Sequence, residues 1–232
     1  MKDLYEHLIY KLHRKSSINR TSAANDQVFR PPRQGSRTTD NCFPREQMEQ
    51  VSQTYKNIDL RQAVKLPEGE DLNEWLARNV SDFYRQVSML YSTITEFCTP
   101  EHCQFMSAGP GYRYRWSDED CPSPIDLSAP EYITRLLNWT NSLLENEDIF
   151  PSALNAPFPD DFVDIVKIIM KRLFRFYAHC YYHHLDNFKS LNMDILLSTC
   201  FRHFILFAHE FNLIQPDQLE PLRDFIDSLL RS

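Results

Sequence analysis

Glycine is scarce: the 232 residues contain four. Strand-rich folds spend more glycine than this, because tight hairpin turns need backbone angles that side chains resist, so the composition leans helical. Long apolar runs are missing too. No stretch of eighteen apolar residues occurs, and the first residues lack the apolar stretch of a secretory leader, which points to a soluble protein. The six cysteines are unevenly spaced for a chain of this length, so a secreted disulfide framework is not expected. A reducing compartment, the cytoplasm or the nucleus, is the expected location.

What is present is aromatic and charged. Aromatic residues make up 13% of the chain and the net charge is −7. The charge is unevenly spread. Residues 1–50 hold nine basic and six acidic side chains, leaving sixteen basic and twenty-six acidic in 51–232. An acidic globular body argues against nucleic acid and anionic membrane and for a basic protein partner, although mild acidity also serves simple solubility.

The length suits one domain with a tail. Residues 16–45 are polar, with Arg30-Pro31-Pro32-Arg33 and no apolar periodicity. The boundaries expected are a flexible or regulatory segment over 1–57 and a helical domain over 58–232. Leu4, Tyr5, Leu8, Ile9 and Leu12 outline a short amphipathic helix within 3–13. Leu76, Val80, Phe83, Val87, Leu90, Ile94 and Phe97 then recur every three to four residues, a helical stripe ending at Cys98. Residues 98–127 read as a loop with a short hairpin around Tyr112–Trp116. Ser128-Ala129-Pro130-Glu131 is a capping box. Further helices are expected from Pro157-Phe158-Pro159-Asp160, through Phe201, Phe204, Phe207 and Phe211, and from Pro216. Five helices and almost no strand signal make an all-α bundle.

Cys98 and Cys103, spaced C-x4-C, and the cluster His179-Cys180-Tyr181-Tyr182-His183-His184 can supply four ligands to a tetrahedral metal ion. Either pair alone is a weak signal, and together they suggest a zinc that clips two parts of a larger domain. On a regular helix His179 and His183 share a face, whereas His184 sits about 140° from His179 at roughly 100° per residue. A helix that ends or deforms there admits His184. His102 and Cys180 are further candidates.

Thr93-Ile94-Thr95-Glu96-Phe97-Cys98-Thr99 and Met106-Ser107-Ala108-Gly109-Pro110, with Tyr112, Tyr114 and Trp116, resemble the Mob (Mps-one-binder) family of kinase co-activators. So do Leu66–Trp75, Ser128-Ala129-Pro130, Lys171–Arg175 and Phe201–Phe204. The match runs from about Asp59 to Leu230, whereas residues 1–45 do not align with the family by eye. The resemblance implies a Mob-like four-helix core plus extra helices, no enzymatic activity, and a structural zinc on Cys98, Cys103, His179 and His184, with His183 the rival for the last place.

The resemblance also implies partners. Family members bind the basic N-terminal regulatory region of NDR/LATS-type AGC kinases in Hippo-like and mitotic-exit pathways, and Pro67–Asp71 with Lys171-Arg172 resembles the branch that pairs with those kinases. The matching kinase-binding positions are Glu70, Asp71, Glu74, Trp75 and Asp82. In an unrelated helix, the acids at 68, 70, 71, 74 and 82 would pass for an ordinary solvated face. Lys171, Arg172 and Arg175 match a phosphothreonine pocket that reads a phosphorylated upstream Ste20-type kinase or scaffold, and Thr54 falls near a phosphorylated position. Two other functions compete: a metal-dependent hydrolase built on the His-rich helix, and a phosphopeptide-binding scaffold that activates no kinase.

Overall fold

The computed structural model describes residues 59–153 and 156–231. The proposed amphipathic helix at 3–13, the segment 1–57 and Thr54 lie outside the described residues. Seven α-helices order the remainder: α1 (Leu60–Ala63), α2 (Leu72–Ser92), α3 (Ala129–Glu145), α4 (Phe162–His179), α5 (Leu185–Ser190), α6 (Asp194–Glu210) and α7 (Arg223–Arg231). A π-helical turn, Cys180–His184, joins α4 to α5, and a 3-10 run, Pro216–Leu222, leads into α7. The expected all-α architecture is the one observed, with no strand among the described residues.

Local chemistry sets most of the boundaries. Asp71 caps α2 by accepting from the amides of Asn73 (2.9 Å) and Glu74 (3.1 Å). Ser128 and Glu131 form the expected capping box at α3, where the Ser128 amide donates to Glu131 Oε2 at 3.2 Å. Helices α5 and α6 end without glycine. Asn192 (φ 57°) and Asn212 (φ 50°) take the left-handed position just past each C-cap. The amides of Met193 and Leu213 then reach back to the carbonyls of Phe188 (2.8 Å) and Ala208 (2.9 Å), a Schellman closure that asparagine tolerates better than other side chains.

Four boundaries differ from the sequence expectation. The apolar stripe runs on to Phe97, yet α2 stops at Ser92. The hydroxyls of Ser92 and Thr93 each bond a carbonyl three residues back, Met89 and Leu90, at 2.7 Å, competing with the helical ladder. Helix α4 begins at Phe162 rather than at the Pro157–Asp160 stretch. The last helix does not run unbroken from Pro216: Pro221 lies within the opening turns, where it lacks an amide to donate, and they remain 3-10. In place of a hairpin, two isolated antiparallel bridges, Ser107–Arg113 and Trp116–Ile125, hold the loop.

The core lies between α2, α4 and α6. Phe83 meets Phe204 and Phe207 edge-on at centroid distances of 5.2 and 5.3 Å, and Tyr177 packs against Phe201 and Phe204 at 5.3 and 5.1 Å. Helix α1 is tied to the other end of the chain, with the Arg61 guanidinium donating to the Leu230 carbonyl at 2.6 Å. Gly109 (φ 72°) sits against the face of Tyr182, where a Cβ would fall 2.5 Å from the ring. The tip of the bridge loop thus rests on the π turn.

Candidate metal centre and charged surfaces

Cys98 and Cys103 sit on two successive turns after α2, each closed by its own amide, to Ile94 O and Thr99 O, both at 2.8 Å. His179 ends α4 and His184 ends the π turn. That turn solves the angular problem posed by five-residue spacing. Its i→i+5 closure returns position 184 to the face of 179, which an α-helix cannot do. His179 Nε2 lies 3.6 Å from Cys98 Sγ, and His184 Nε2 lies 3.4 Å from Cys103 Sγ. The four ligand atoms all fall within 4.8 Å of one another. Metal–sulfur bonds of about 2.3 Å and metal–nitrogen bonds of about 2.0–2.1 Å give a tetrahedral S···N edge of about 3.5 Å, so both measured separations fit.

The second nitrogen of each ring is fixed. His179 Nδ1 lies 2.8 Å from the Ser107 carbonyl and His184 Nδ1 3.1 Å from Asn187 Oδ1. Both partners are acceptors, so each Nδ1 carries the proton and each Nε2 lone pair faces the thiols. Burial keeps the His179 imidazole neutral, pushing its pKa down to about 3. Burial also pushes both thiols up, Cys98 further through its neighbour Cys103. Thiolates in such a place need a cation to form, so the donor set suits a metal ion better than it suits four unmetallated side chains.

The rival ligands are placed elsewhere. His183 is exposed and its Nε2 bonds Ser107 Oγ at 3.0 Å, while His102 is exposed and bonds Thr99 Oγ1 at 3.0 Å. Cys180 is buried but stands outside the group of four. Four protein donors complete a tetrahedron and leave no open position for a reacting water, which argues against the hydrolase alternative.

The acidic positions do not form a single surface. Asp71 is exposed and Glu70 and Glu74 are half-buried at the start of α2. Trp75 is 3% exposed and its indole donates to Val64 O at 3.2 Å, so it anchors the helix to the core. The Asp82 side chain is 12% exposed and pairs with Arg85 at 3.4 Å. Burial pushes the Asp82 carboxyl up to about 6, against the pull of Arg85 and Arg78.

The three cations on α4 are brought together. Arg172 lies over the rings of Trp116 (4.6 Å) and Trp139 (4.2 Å) and donates through Nη2 to Ser117 O at 2.6 Å. Arg175 donates to the Tyr132 hydroxyl at 2.6 Å and lies 5.1 Å above the Tyr114 ring. Partial burial, followed by the neighbouring Arg175 and Arg172, pushes the Lys171 ammonium below its ordinary value, while Asp217 pulls the other way. Arg172 Nη1 and the Tyr114 hydroxyl are buried with no hydrogen-bond partner among the described residues. The spacing of the cations was legible in sequence. The aromatic cradle was not, because its members come from the bridge loop and α3.

The chain is 47% identical over 207 residues to MOB kinase activator-like 1A of Arabidopsis thaliana, covering 89% of this chain and 95% of that protein. It is 46% identical over 208 residues to MOB kinase activator-like 1B of Medicago sativa subsp. falcata, with the same coverage. It is 52% identical over 175 residues to MOB kinase activator-like 1 homolog B of Dictyostelium discoideum, covering 75% of this chain and 81% of that protein. The plant matches are longer than the stretch 46–232, so the likeness extends into the first 45 residues, which by eye resemble nothing in the family. The Mob1/phocein family model matches residues 52–222, and the chain belongs to that family.

Proposed function

We propose that this protein is a non-catalytic kinase co-activator, a regulator and not an enzyme, as the names of its relatives suggest. It docks the basic N-terminal regulatory region of an NDR/LATS-type AGC kinase on the acidic start of α2. It also reads a phosphothreonine motif of an upstream Ste20-type kinase or scaffold in a Hippo-like or mitotic-exit pathway. Glu70, Asp71 and Glu74 carry the first contact, with Asp82 further along α2 and Trp75 bracing the helix from beneath. Lys171, Arg172 and Arg175 carry the second. Zinc on Cys98, Cys103, His179 and His184 holds the bridge loop against α4 and the π turn.

The observation that carries this reading is the partly desolvated cation cluster of α4. Arg172 keeps a buried nitrogen, and Tyr114 beneath Arg175 a buried hydroxyl, without a hydrogen-bond partner among the described residues. Clustered cations in a protein of net charge −7 call for an anion with several acceptor oxygens, which phosphate provides. Each charge-assisted bond to it contributes roughly 1.5–3 kcal/mol. Calorimetry with a phosphothreonine peptide and its unphosphorylated form tests this. The phosphorylated peptide should bind, its counterpart should not, and Arg175→Ala should remove most of the difference. Equal binding of the two forms to the wild-type protein would sink the reading.

A further inference from the structure

The cation cluster lies between two carboxylates. On α4, positions 171 and 172 diverge by about 100°, so the two neighbouring side chains lean towards different walls. Arg172 points to the bridge loop, where it bonds Ser117 O and covers Trp116. The next residue, Asp118, is pinned there: its carboxylate accepts from the Trp116 indole at 2.6 Å and from the Cys121 amide at 2.7 Å. Asp118 and Arg172 each favour the other's charged form. Exposed Glu119 and Asp120 extend this acidic wall.

Lys171 faces the other side, where Asp217 favours its ammonium form. Asp217 is exposed on the 3-10 run, which packs against α4. That run is held in turn by the Tyr182 hydroxyl, which donates to Pro221 O at 3.0 Å. Among the described residues, neither carboxylate forms a salt bridge.

We infer that the two walls select the ligand: the site takes a phosphothreonine flanked on both sides by basic residues and rejects one in an acidic context. This rests on the phosphothreonine reading above. Phosphate on the cations leaves Asp118 and Asp217 facing the residues that precede and follow it. A helix with its side chains is about 10–12 Å across, and an extended peptide rises about 3.3 Å per residue. The walls therefore meet side chains about two positions to either side of the phosphothreonine. A dianion alone would be served better by a cluster without these acids, and their presence makes sense for a ligand that is positive around a negative centre.

The test is calorimetry on the full chain with four peptides of one length. Three carry phosphothreonine with Lys, Ala or Glu at both positions two removed, and the fourth is the Lys peptide without phosphate. The Lys-flanked phosphopeptide should bind about tenfold tighter than the Glu-flanked one at low salt. That ratio should shrink at least threefold in Asp118→Asn/Asp217→Asn. It should hold in Asp186→Asn/Asp227→Asn, which removes the same net charge from exposed positions on α5 and α7. Because Asp118 also orders its loop, the exposed Asp217→Asn is measured alone and should reproduce about half of the change. Equal affinity for the Lys and Glu phosphopeptides overturns the inference and leaves the phosphothreonine reading standing. So does an equal drop in the control double variant. Indifference to phosphate itself overturns the underlying reading.

Discussion

At the scale of single residues, the histidines have separate jobs. His184 lies 3.4 Å from a thiol through Nε2 and is oriented through Nδ1, whereas His183 is exposed and bonds only a serine hydroxyl among the described residues. His184→Ala should lose the metal and lower the melting temperature, since metal affinity is coupled to folding. His183→Ala should keep both, as metal content by plasma emission spectrometry with a thermal melt would show. The opposite pattern would move the ligand to His183. His203 has a different role. It is buried against Phe83, centroids 4.9 Å apart, and burial pushes its pKa down to about 4. Between about 4 and the ordinary 6.5 the unfolded chain holds the extra proton, so stability is full above 6.5 and is lost as pH falls. The loss amounts to about 3 kcal/mol by pH 4. Urea midpoints at pH 7.5 and 5 should diverge in the wild type and diverge less in His203→Phe. An equal divergence would assign the acid sensitivity to other groups.

At the scale of elements, caps and apolar periods were legible, and competition between local bonds was not. The stripe from Leu76 to Phe97 marks the right buried face. The end of α2 depends on the Ser92 and Thr93 hydroxyls, which pattern reading does not weigh. The π turn is the sharpest case. Helical periodicity favours His179 with His183, and nothing in the residue types between them announces a five-residue closure. The resemblance to a known motif identified His184 where geometry alone preferred its neighbour. The resemblance implies Trp75 as a kinase-contact residue, yet α2 buries a face wide enough to include it. The Ser107 carbonyl that orients His179 is backbone and leaves no trace in sequence. Asn192 and Asn212 carry no apolar or capping signal of their own, although glycine scarcity makes them the natural left-handed stops. Asn212→Ala should destabilise by about 1–2 kcal/mol, the cost of a Cβ in that conformation without the side chain that tolerates it. Asn212→Gly should be neutral or slightly stabilising. Guanidinium melts order the three proteins, and an alanine variant as stable as the wild type would show that the Schellman closure carries no strain.

At the scale of the molecule, charge of each sign is segregated. The chain carries a net −7, with its acidic excess outside the first fifty residues. Basic side chains gather on α4, and acids gather at the start of α2. No described helix is long and apolar enough to cross a membrane. On the proposed function, a basic peptide would be drawn to the molecule as a whole and positioned locally by the acids around Asp71. Individual exposed ion pairs contribute only about 0–1 kcal/mol, so the proposed docking of a Lys/Arg-rich kinase segment would have to be collective and would weaken with salt. Asp71 also caps α2, so changing it confounds docking with folding. The cleaner variant is Glu70→Lys/Glu74→Lys, which reverses two charges and leaves the cap in place. Its affinity for a basic kinase-derived peptide should fall at least tenfold at low salt. At high salt wild type and variant should converge, as screening reaches the shared attraction. A double variant that binds like the wild type at both salt concentrations would remove the start of α2 from the docking surface.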